Sequence, residues 1–525
     1  MIDKLSNQSR IIIATALSFA FFATYDYFFI PKKDPAPQAL SQEISQQATT
    51  QKAPVVSNTQ ETSVKTPITV TKEGETLVRV IADKYELTID SFGRINSFYL
   101  KESKYIMENG ERMQLIDQEL AVFPLEMRFS DSIVNEQAFK IPYTASVNSV
   151  SVGEQGGSVV LKQALNGVNI TKMLTFYPAG NYNLAVTFDN PKSYFITPGI
   201  RPNQAVDSYT FHGALIKEAD DTHTPIDDGD AKGSEKFIDA KIAAGADKYY
   251  TTALYSFDKG IDIVVEPIKD KMPLLFIKAE GDLSISGYIG AKEYKTLFQI
   301  DPQLTDIIEY GFFTFISKPL FLLLSYLHSL FGNWGWAIVV MTMIIRLVLF
   351  PLTYKGMVSM NKLKELSPKI KELQVKYKGD SQKLNAHMME LYKKHGANPM
   401  GGCLPIILQI PVFFAIYRVL QNAIELKAAP WILWVHDLAI MDPYFILPVA
   451  MGITMFVHQR ITPTNFTDPM QEKIMKFLPL IFTFFFVTFP AGLTLYWFTN
   501  NLFSIAQQYY VNSLFAKEKE KKAVV

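Results

Sequence analysis

The chain has 525 residues, too many for one hydrophobic core and enough for a large soluble domain beside a membrane domain. Its 51 basic and 51 acidic side chains give a formal net charge of zero, which excludes a bulk electrostatic attraction to nucleic acid. The single cysteine, Cys403, excludes an intramolecular disulfide, so an exported domain must be stabilised by its own core. Because Cys403 lies in an apolar run, we predict a small packing residue and not a reactive thiol.

The first apolar segment, residues 11–30, has about the ~20 residues that a helix needs to cross the hydrocarbon core. Basic residues precede it, which predicts a cytoplasmic N-terminus. A cleaved signal peptide is the alternative, but the apolar run is longer than a usual signal and favours an uncleaved anchor over residues 1–30. Residues 31–67 are rich in Pro, Ala, Gln, Ser and Thr, and we predict a flexible periplasmic linker.

Residues 68–305 have the patterns of β-structure. Apolar and polar residues alternate along 85–90, which is the period of a half-buried strand. Asn166 and Gly167 lie between two strand-like runs and predict a tight hairpin turn. We therefore predict a large, mainly antiparallel periplasmic β-sandwich.

Five aspartates in this region raise the question of a calcium loop. They are Asp220, Asp221, Asp227, Asp228 and Asp230. A calcium loop needs a regular ligand spacing and a closing glutamate, and neither is present. We predict a solvated loop and no metal site.

The last 220 or so residues have the pattern of a membrane domain. Residues 306–332 predict an amphipathic helix in the membrane interface. Five apolar segments follow, at roughly 334–354, 401–420, 443–458, 474–489 and 492–511. Lysine-rich and lysine-poor loops alternate between them, which predicts six spans, two cytoplasmic termini and a periplasmic segment over residues 31–311. The membrane core would then cover residues 333–512, followed by a basic cytoplasmic tail over 513–525.

The lysine-rich segment 356–397 predicts a cytoplasmic helical hairpin. Ser367 and Pro368 are typical of a helix start, Gly379 of the turn, and Gly396 of the end of the second helix. The lysine face could be solvated, contact lipid headgroups or contact a ribosome. The lysines that we select as a recruitment surface are Lys369, Lys376 and Lys383.

Arg346 indicates function most directly. It lies near the middle of an apolar span without an acid, where an arginine costs about 2.5–3.5 kcal/mol on insertion scales. Snorkelling to the headgroups is the alternative, but Lys355 marks the cytoplasmic edge roughly 13 Å away along the helix. The distance favours a water-filled cavity, and Thr342 lies one turn away on the same face.

Polar residues in two other spans could line the same cavity. Gln409 lies between Pro405 and Pro411, which leave backbone carbonyls that need protein or water. The last span carries several amides, including Asn500 and Asn501. Such amides can also simply join helices, but their coincidence with an arginine favours one shared polar cavity.

The span cores contain no Asp or Glu, although ion-coupled transporters usually carry an intramembrane carboxylate. The sequence also has no phosphate loop, no metal-ligand spacing among its seven histidines and no GxSxG elbow. We therefore predict that the protein is not an enzyme, with no catalytic residues, no cofactor and no metal.

Four stretches resemble the membrane core of the YidC insertase family, which includes mitochondrial oxidase-assembly and thylakoid insertases. They are NPMGGCLPIILQIPVFFAIY (398–417), WILWVHDLAIMDPYFILP (431–448), TDPMQEKIMKFLPLIFTFFF (467–486) and FPAGLTLYWFTNN (489–501). The resemblance implies the Gram-negative form: a multi-spanning α-helical protein with a five-helix core around a hydrophilic groove, and a β-supersandwich in the periplasm. It places Arg346, Thr342 and Gln409 in the groove, together with the aromatic pair Tyr496 and Trp497.

The resemblance implies an insertase and chaperone of the bacterial inner membrane that moves transmembrane segments of nascent proteins into the bilayer. Its partners would be nascent membrane proteins and lipid, with the Sec translocon and the ribosome as further candidates and no sequence-specific nucleic acid. A small-solute channel or transporter using the same cavity is the alternative. A third possibility, a sugar-processing enzyme on a membrane anchor, would require acids and aromatic residues that converge in one cleft.

Overall fold

The computed structural model describes residues 74–524, apart from 108, 121, 207–209, 378, 398–403 and 463–468. The chain separates into two compact units, one ending at Ile307 and one beginning at Ile308. The predicted anchor (1–30), the predicted linker (31–67) and Cys403 lie outside the described residues.

The first unit is built from short strands with two short helices. The strands are β1 (Thr76–Ile81), β2 (Tyr85–Asp90), β3 (Ile95–Leu100), β4 (Met127–Phe129), β5 (Thr144–Ala145), β6 (Ser149–Ser151), β7 (Gly157–Leu165), β8 (Val168–Phe176), β9 (Asn181–Phe188), β10 (Ser193–Ile196), β11 (Gly213–Lys217), β12 (His223–Asp227), β13 (Glu235–Ala240), β14 (Ile242–Ala246), β15 (Tyr250–Tyr255), β16 (Ile261–Pro267), β17 (Pro273–Glu280) and β18 (Leu283–Ala291). The helices are α1 (Ser132–Ala138) and α2 (Tyr294–Ile300).

Three sheets form, in the orders β3-β2-β1-β6, β13-β16-β17-β10-β4 and β12-β11-β14-β15-β18-β9-β8-β7-β5. The described strand pairs are antiparallel, except for the parallel pair β1–β6. Strands β11 and β14 of the largest sheet pack on β17 of the five-stranded sheet. The predicted, mainly antiparallel β-sandwich is therefore confirmed.

Local sequence explains the longest hairpin. Strands β7 and β8 pair from Gly157↔Phe176 to Leu165↔Val168, so only Asn166 and Gly167 form the turn. Gly167 has a φ of 77°, which glycine adopts without steric cost. Alternate residues of β8 are buried, as its apolar–polar alternation requires. The hairpin predicted at this turn is confirmed.

A charged network is buried in this unit. Arg94 pairs with Asp90 at 2.6 Å and with Glu126 at 3.0 Å, and Arg128 pairs with Glu126 at 2.7 Å. All four side chains are almost fully buried. Two cations therefore compensate two anions inside the core, so each carboxylate keeps a partner where water cannot reach it.

The aspartates predicted to share one solvated loop lie at opposite ends of the β11–β12 hairpin. The prediction is wrong for Asp228, which lies 2.5 Å from Arg201 Nη2 and 3.4 Å from His212 Nδ1. Burial alone would raise the pKa of Asp228, but hydrogen bonds from His212 and Arg201 lower it overall. Within the described ranges, no group of three or more potential ligands could hold a metal ion.

The second unit is helical. Its helices are α3 (Thr314–Phe331), α4 (Trp334–Lys376), α5 (Ser381–Lys394), α6 (Leu404–Asn422), α7 (Ile446–Ile461), α8 (Pro469–Phe486) and α9 (Ala491–Val524). Two helical stretches, Gly311–Phe331 and Trp334–Lys376, are long and apolar enough to cross a membrane, and α7 is a shorter apolar helix. Each predicted apolar segment thus corresponds to one helix, namely α4, α6, α7, α8 or α9.

Helix α4 continues without a break through Ser367 and Pro368, so the helix start predicted there is wrong. A proline inside a helix removes one backbone hydrogen bond. Leu366 and Ile370 offset that loss because they are buried against α5. As a result, Arg346 and the first arm of the hairpin belong to one helix of 43 residues, about 64 Å long.

The segment predicted as a basic tail, 513–525, continues α9 as far as Val524. Lys519 Nζ lies 2.9 Å from a Glu365 carboxylate oxygen on α4. Asn361 on α4 donates to Asn512 Oδ1 at 3.0 Å, and Asn512 donates to the Ile461 carbonyl at 3.1 Å. These contacts tie the end of α9 to α4 and to the end of α7.

Candidate functional site

A small cavity lies between α4, α6 and α9; its volume is about 10 Å³, room for roughly one water molecule. Its lining residues are Thr342, Ile345, Arg346, Leu349, Thr353, Gln409, Val412, Tyr496 and Asn500. Thr342, Arg346, Leu349 and Thr353 of helix α4 are spaced four, three and four apart, and Ile345 lies next to Arg346, so one face of the helix is turned toward the cavity. Tyr496 and Asn500 lie four residues apart on α9.

Arg346 is held in this cavity by an amide. Its Nε donates to Asn500 Oδ1 at 2.7 Å, and Gln409 Nε2 donates to the same oxygen at 3.1 Å. One acceptor oxygen on α9 therefore joins donors from α4 and α6. Gln507, two turns further along α9, donates to the Arg346 carbonyl at 3.1 Å and strengthens the α4–α9 contact.

No ion pair involves Arg346 in the part of the chain that the structure describes. Its hydrogen-bonding partner Asn500 is neutral, so its positive charge is oriented but not compensated. A cation in an apolar surrounding persists when water or aligned dipoles solvate it. The half-buried guanidinium therefore makes the cavity a polar, positively charged site within a helical bundle.

Two more of the predicted groove residues lie at this site. The Thr342 hydroxyl donates to the Ile338 carbonyl at 2.7 Å, so its hydrogen is used within its own helix and its oxygen remains an acceptor. Tyr496 is buried and lines the cavity together with Gln409. The structure thus brings five of the seven predicted groove residues together: Arg346, Thr342, Gln409, Tyr496 and Asn500.

The other two face away from the cavity. Trp497 packs on Phe413, with ring centroids 4.8 Å apart and nearly perpendicular planes, and on Phe482 of α8. Asn501 donates to the Met451 carbonyl of α7 at 3.4 Å. Consecutive helical residues point about 100° apart, so Trp497 and Asn501 cannot share the direction of Tyr496 and Asn500.

Two further polar residues belong to the site. Gln507, one of the amides of the last span, contacts the Arg346 backbone seven positions after Asn500. Sequence reasoning missed Thr353, which lines the cavity seven positions after Arg346. A separation of seven is two helical turns, so extending the face of Thr342 and Arg346 by two turns would have found Thr353.

The three selected hairpin lysines are exposed. Lys383 pairs with Asp380 at 3.1 Å, Lys376 lies over the Tyr377 ring, and Lys369 lies 3.5 Å from a ring nitrogen of His395. The apolar stripe between α4 and α5 is buried within the hairpin itself. The hairpin therefore offers mainly charge to a partner, with the exposed apolar side chains of Val375 and Met389 beside it.

Comparison with known proteins covers both units. A family model described as "60Kd inner membrane protein" matches residues 326–519, and one described as "YidC periplasmic domain" matches residues 77–323. The membrane protein insertase YidC of Campylobacter jejuni is 53% identical over 525 residues, covering 99% of this chain and 98% of its own. The proteins of that name from Wolinella succinogenes and Helicobacter pylori are 51% and 48% identical, each over 99% of this chain and over 98% and 99% of their own length.

Proposed function

Because the chain belongs to the YidC family of membrane protein insertases, we propose that the cavity around Arg346 receives the polar part of each nascent transmembrane segment. The protein is an insertase in a membrane, with a periplasmic β-sandwich domain. The observation that carries the proposal is the arginine itself, which an amide orients and no described carboxylate neutralises. The channel or transporter alternative receives no support from the relatives.

The proposed cycle needs no covalent step. A short polar tail of the substrate enters the cavity from the cytoplasm, where water and Arg346 replace part of its hydration. This lowers the barrier to moving polar groups through an apolar layer, which costs several kcal/mol for each unpaired group. The apolar helix of the substrate then moves into lipid and gains roughly 25 cal/mol per Å² of buried apolar surface.

The charge of Arg346 favours acidic tails in particular. A membrane potential that is positive outside adds about 2.3 kcal/mol per negative charge per 100 mV. Arg346 attracts the tail at the midpoint of its path, and the potential drives its release on the outer side. The two effects therefore act on the same charge in sequence.

We place the protein in the bacterial inner membrane with six spans, both termini in the cytoplasm and residues 31–311 in the periplasm. The lysine-rich loops and the description of the matching family support this topology. In a Cys403→Ser background, a cysteine at the exposed Val375 should react only with reagents that enter the cytoplasm, and one at Ile238 should react from outside. Labelling of position 375 from outside would refute the six-span topology.

The hairpin is proposed to recruit ribosomes or nascent chains. Lys369, Lys376 and Lys383 are exposed, and Lys369 and Lys376 lie on the same continuous helix, α4, as Arg346. A partner bound at the lysines would therefore hold a nascent chain at the end of the helix that leads to the cavity.

Photo-crosslinking tests the proposed path. A photoreactive residue replacing Leu349 faces the cavity, whereas one replacing its neighbour Val348 lies on the exposed side of the same helix. During arrested insertion of a single-span substrate into liposomes that contain the purified protein, position 349 should crosslink to the substrate tail and position 348 should not. Equal crosslinking from the two positions, or from 348 alone, would rule out the cavity as the path.

A further inference from the structure

The first unit carries a second cavity, unrelated to the insertase site. It has a volume of about 640 Å³ and lies on the solvent-facing side of the nine-stranded sheet, over β8, β9, β18 and β15. Small-molecule sites commonly measure ~300–1,000 Å³. The cleft is therefore large enough for an organic ligand with some of its surface left in water.

The floor of the cleft is one polar row that crosses four strands. Thr175 pairs with Asn183, Asn183 pairs with Ser286, and Ser286 pairs with Tyr255. All four side chains line the cleft. Because cross-strand partners stand side by side on one face, the row presents hydroxyl and amide groups about every 5 Å.

Hydrogen bonds fix the orientation of this row. The Ser286 hydroxyl donates to Asn183 Oδ1 at 3.0 Å, and Asn183 Nδ2 donates to the Tyr177 hydroxyl at 3.2 Å. The Thr175 hydroxyl shares a hydrogen bond of 2.9 Å with the Ser158 hydroxyl. Because the Tyr177 hydroxyl oxygen accepts from Asn183, its hydrogen can be donated to a ligand. The floor is thus preorganised to exchange hydrogen bonds with hydroxyl groups.

The side chains at the walls of the cleft restrict the charge and shape of the ligand that can bind. Tyr255 and Phe257 form a tilted aromatic pair, with centroids 5.2 Å apart, on which an apolar ligand face can pack. Asp258 and Asp301 are the charged residues of the lining, which contains no Lys, Arg or His. Anionic ligands such as phosphates or uronates are therefore disfavoured.

The position of the cleft argues against a peptide ligand. Peptides commonly bind by adding a strand to a free sheet edge. Here the strands under the cleft are internal, and the backbone groups of β8, β9, β15 and β18 are already used by neighbouring strands. Recognition must therefore come from side-chain hydroxyls, amides and rings, which suit a ligand rich in hydroxyl groups.

We propose that this cleft binds a neutral carbohydrate of about two sugar rings, whose hydroxyls bond the row of Thr175, Asn183 and Ser286 while one ring face packs on the Tyr255–Phe257 pair. This is a binding site, and the proposal includes no reaction. It is independent of the insertase cavity, because all of its residues lie in the sandwich unit.

Ligand-observed NMR on the full-length protein in nanodiscs tests the proposal. The probes are the neutral disaccharides maltose, cellobiose and chitobiose, with glucose 6-phosphate and a lysine-containing pentapeptide for comparison. At least one neutral disaccharide should bind saturably and more tightly than glucose 6-phosphate. Asn183→Ala and Phe257→Ala should each weaken that binding about tenfold or more. Thr187→Ala, an exposed position on the same face of β9 but outside the cleft, should not.

Thermal unfolding of each variant shows whether it is folded, and the binding comparison is made among folded variants. Thr175→Val provides a second test of the row should Asn183→Ala unfold. Failure of all three disaccharides to bind would overturn the proposal, as would binding of the pentapeptide alone. Disaccharide binding that Asn183→Ala, Thr175→Val and Phe257→Ala leave unchanged would also overturn it.

Discussion

A fully buried arginine and a half-buried one in this protein are satisfied in opposite ways. In the sandwich, Arg94 lies between Asp90 and Glu126, and its charge is fully compensated. In the helical unit, Arg346 is bonded to the neutral Asn500 and no described carboxylate pairs with it. A compensated cation joins parts of a core, whereas an uncompensated one leaves a positive site for something else to use.

The largest effect should come from breaking the compensated network. Arg94→Met leaves Asp90 and Glu126 with less positive charge in a dry core, and removing one partner of a buried pair costs about 3–5 kcal/mol. Urea unfolding of the sandwich unit within the full-length protein, followed by pulse proteolysis, should show a loss of this size. Arg79→Met is the control: Arg79 is exposed and pairs with Glu86 at 3.6 Å, so its loss should cost less than about 1 kcal/mol. Similar losses for the two variants would contradict the distinction.

Removing the Asn500 amide that orients Arg346 should lower the insertion activity. Asn500→Leu leaves the donors of Arg346 and Gln409 without their shared acceptor, at a cost of about 1–3 kcal/mol, and insertion into proteoliposomes should fall. Asn501→Leu loses a longer and weaker bond, of 3.4 Å, to α7 on the other side of α9. It should leave insertion by the folded protein unchanged. Equal insertion defects in the two variants would mean that α9 stability, and not the cavity, was measured.

Lys172, a buried basic side chain, extends the comparison, because its protonation makes the stability of the sandwich unit depend on pH. It is fully buried and donates to the carbonyls of Gly93 and Leu125. Burial lowers its pKa to about 7, and because the neighbouring acids and arginines already balance, the neutral amine fits this core. The folded state thus binds fewer protons than the unfolded chain between pH 7 and the unfolded pKa of about 10.4.

The free energy of unfolding should consequently rise with pH across that window. Lys172→Met removes the titrating group, so its unfolding free energy should rise less between pH 7 and pH 9, although the orphaned carbonyls cost about 1–3 kcal/mol at every pH. Urea titrations of both proteins at pH 7, 8 and 9 measure the difference. Parallel pH profiles would show that Lys172 stays charged when folded.

The smallest effect on stability should come from exposed cations. Replacing Lys369, Lys376 and Lys383 with Gln should change the unfolding free energy by less than about 1 kcal/mol, because exposed pairs contribute little. Delivery of ribosome-bound nascent chains should nevertheless slow, with insertion of released substrate unaffected. The matched control replaces Lys259, Lys269 and Lys295 of the sandwich with Gln. A hairpin variant that unfolds, or that delivers chains at the normal rate, would refute the recruitment role.

Sequence patterns predicted those features that depend on local periodicity. The β7–β8 turn at Asn166 and Gly167 and the apolar helices follow from neighbouring residues alone. The direction in which each helical residue faces was harder to predict, because the sequence of one span does not reveal which of its faces meets the neighbouring helices. For that reason Asn500 and Asn501 looked equivalent in sequence although one faces Arg346 and the other faces α7.

Contacts between residues that are distant in the chain could not be predicted from the sequence. Asp228 pairs with Arg201, 27 positions away, so its burial could not be predicted from the acidic run around it. Pro368 is typical of a helix start, but the burial of Leu366 and Ile370 on α5 keeps the helix continuous. In both cases tertiary contacts outweighed a local preference.

Insertion by Arg346 variants, measured as a function of substrate charge, tests most directly whether the uncompensated charge of Arg346 attracts the translocated tail. Purified variants are reconstituted in liposomes and given two single-span substrates that differ only in their translocated tails, one with Asp and Glu and one with Asn and Gln. Arg346→Lys keeps the charge and should retain insertion of both, whereas Arg346→Ala should impair the acidic tail and spare the neutral one. If the folded Arg346→Ala protein fails equally for both tails, attraction by an uncompensated charge is not how this cavity works.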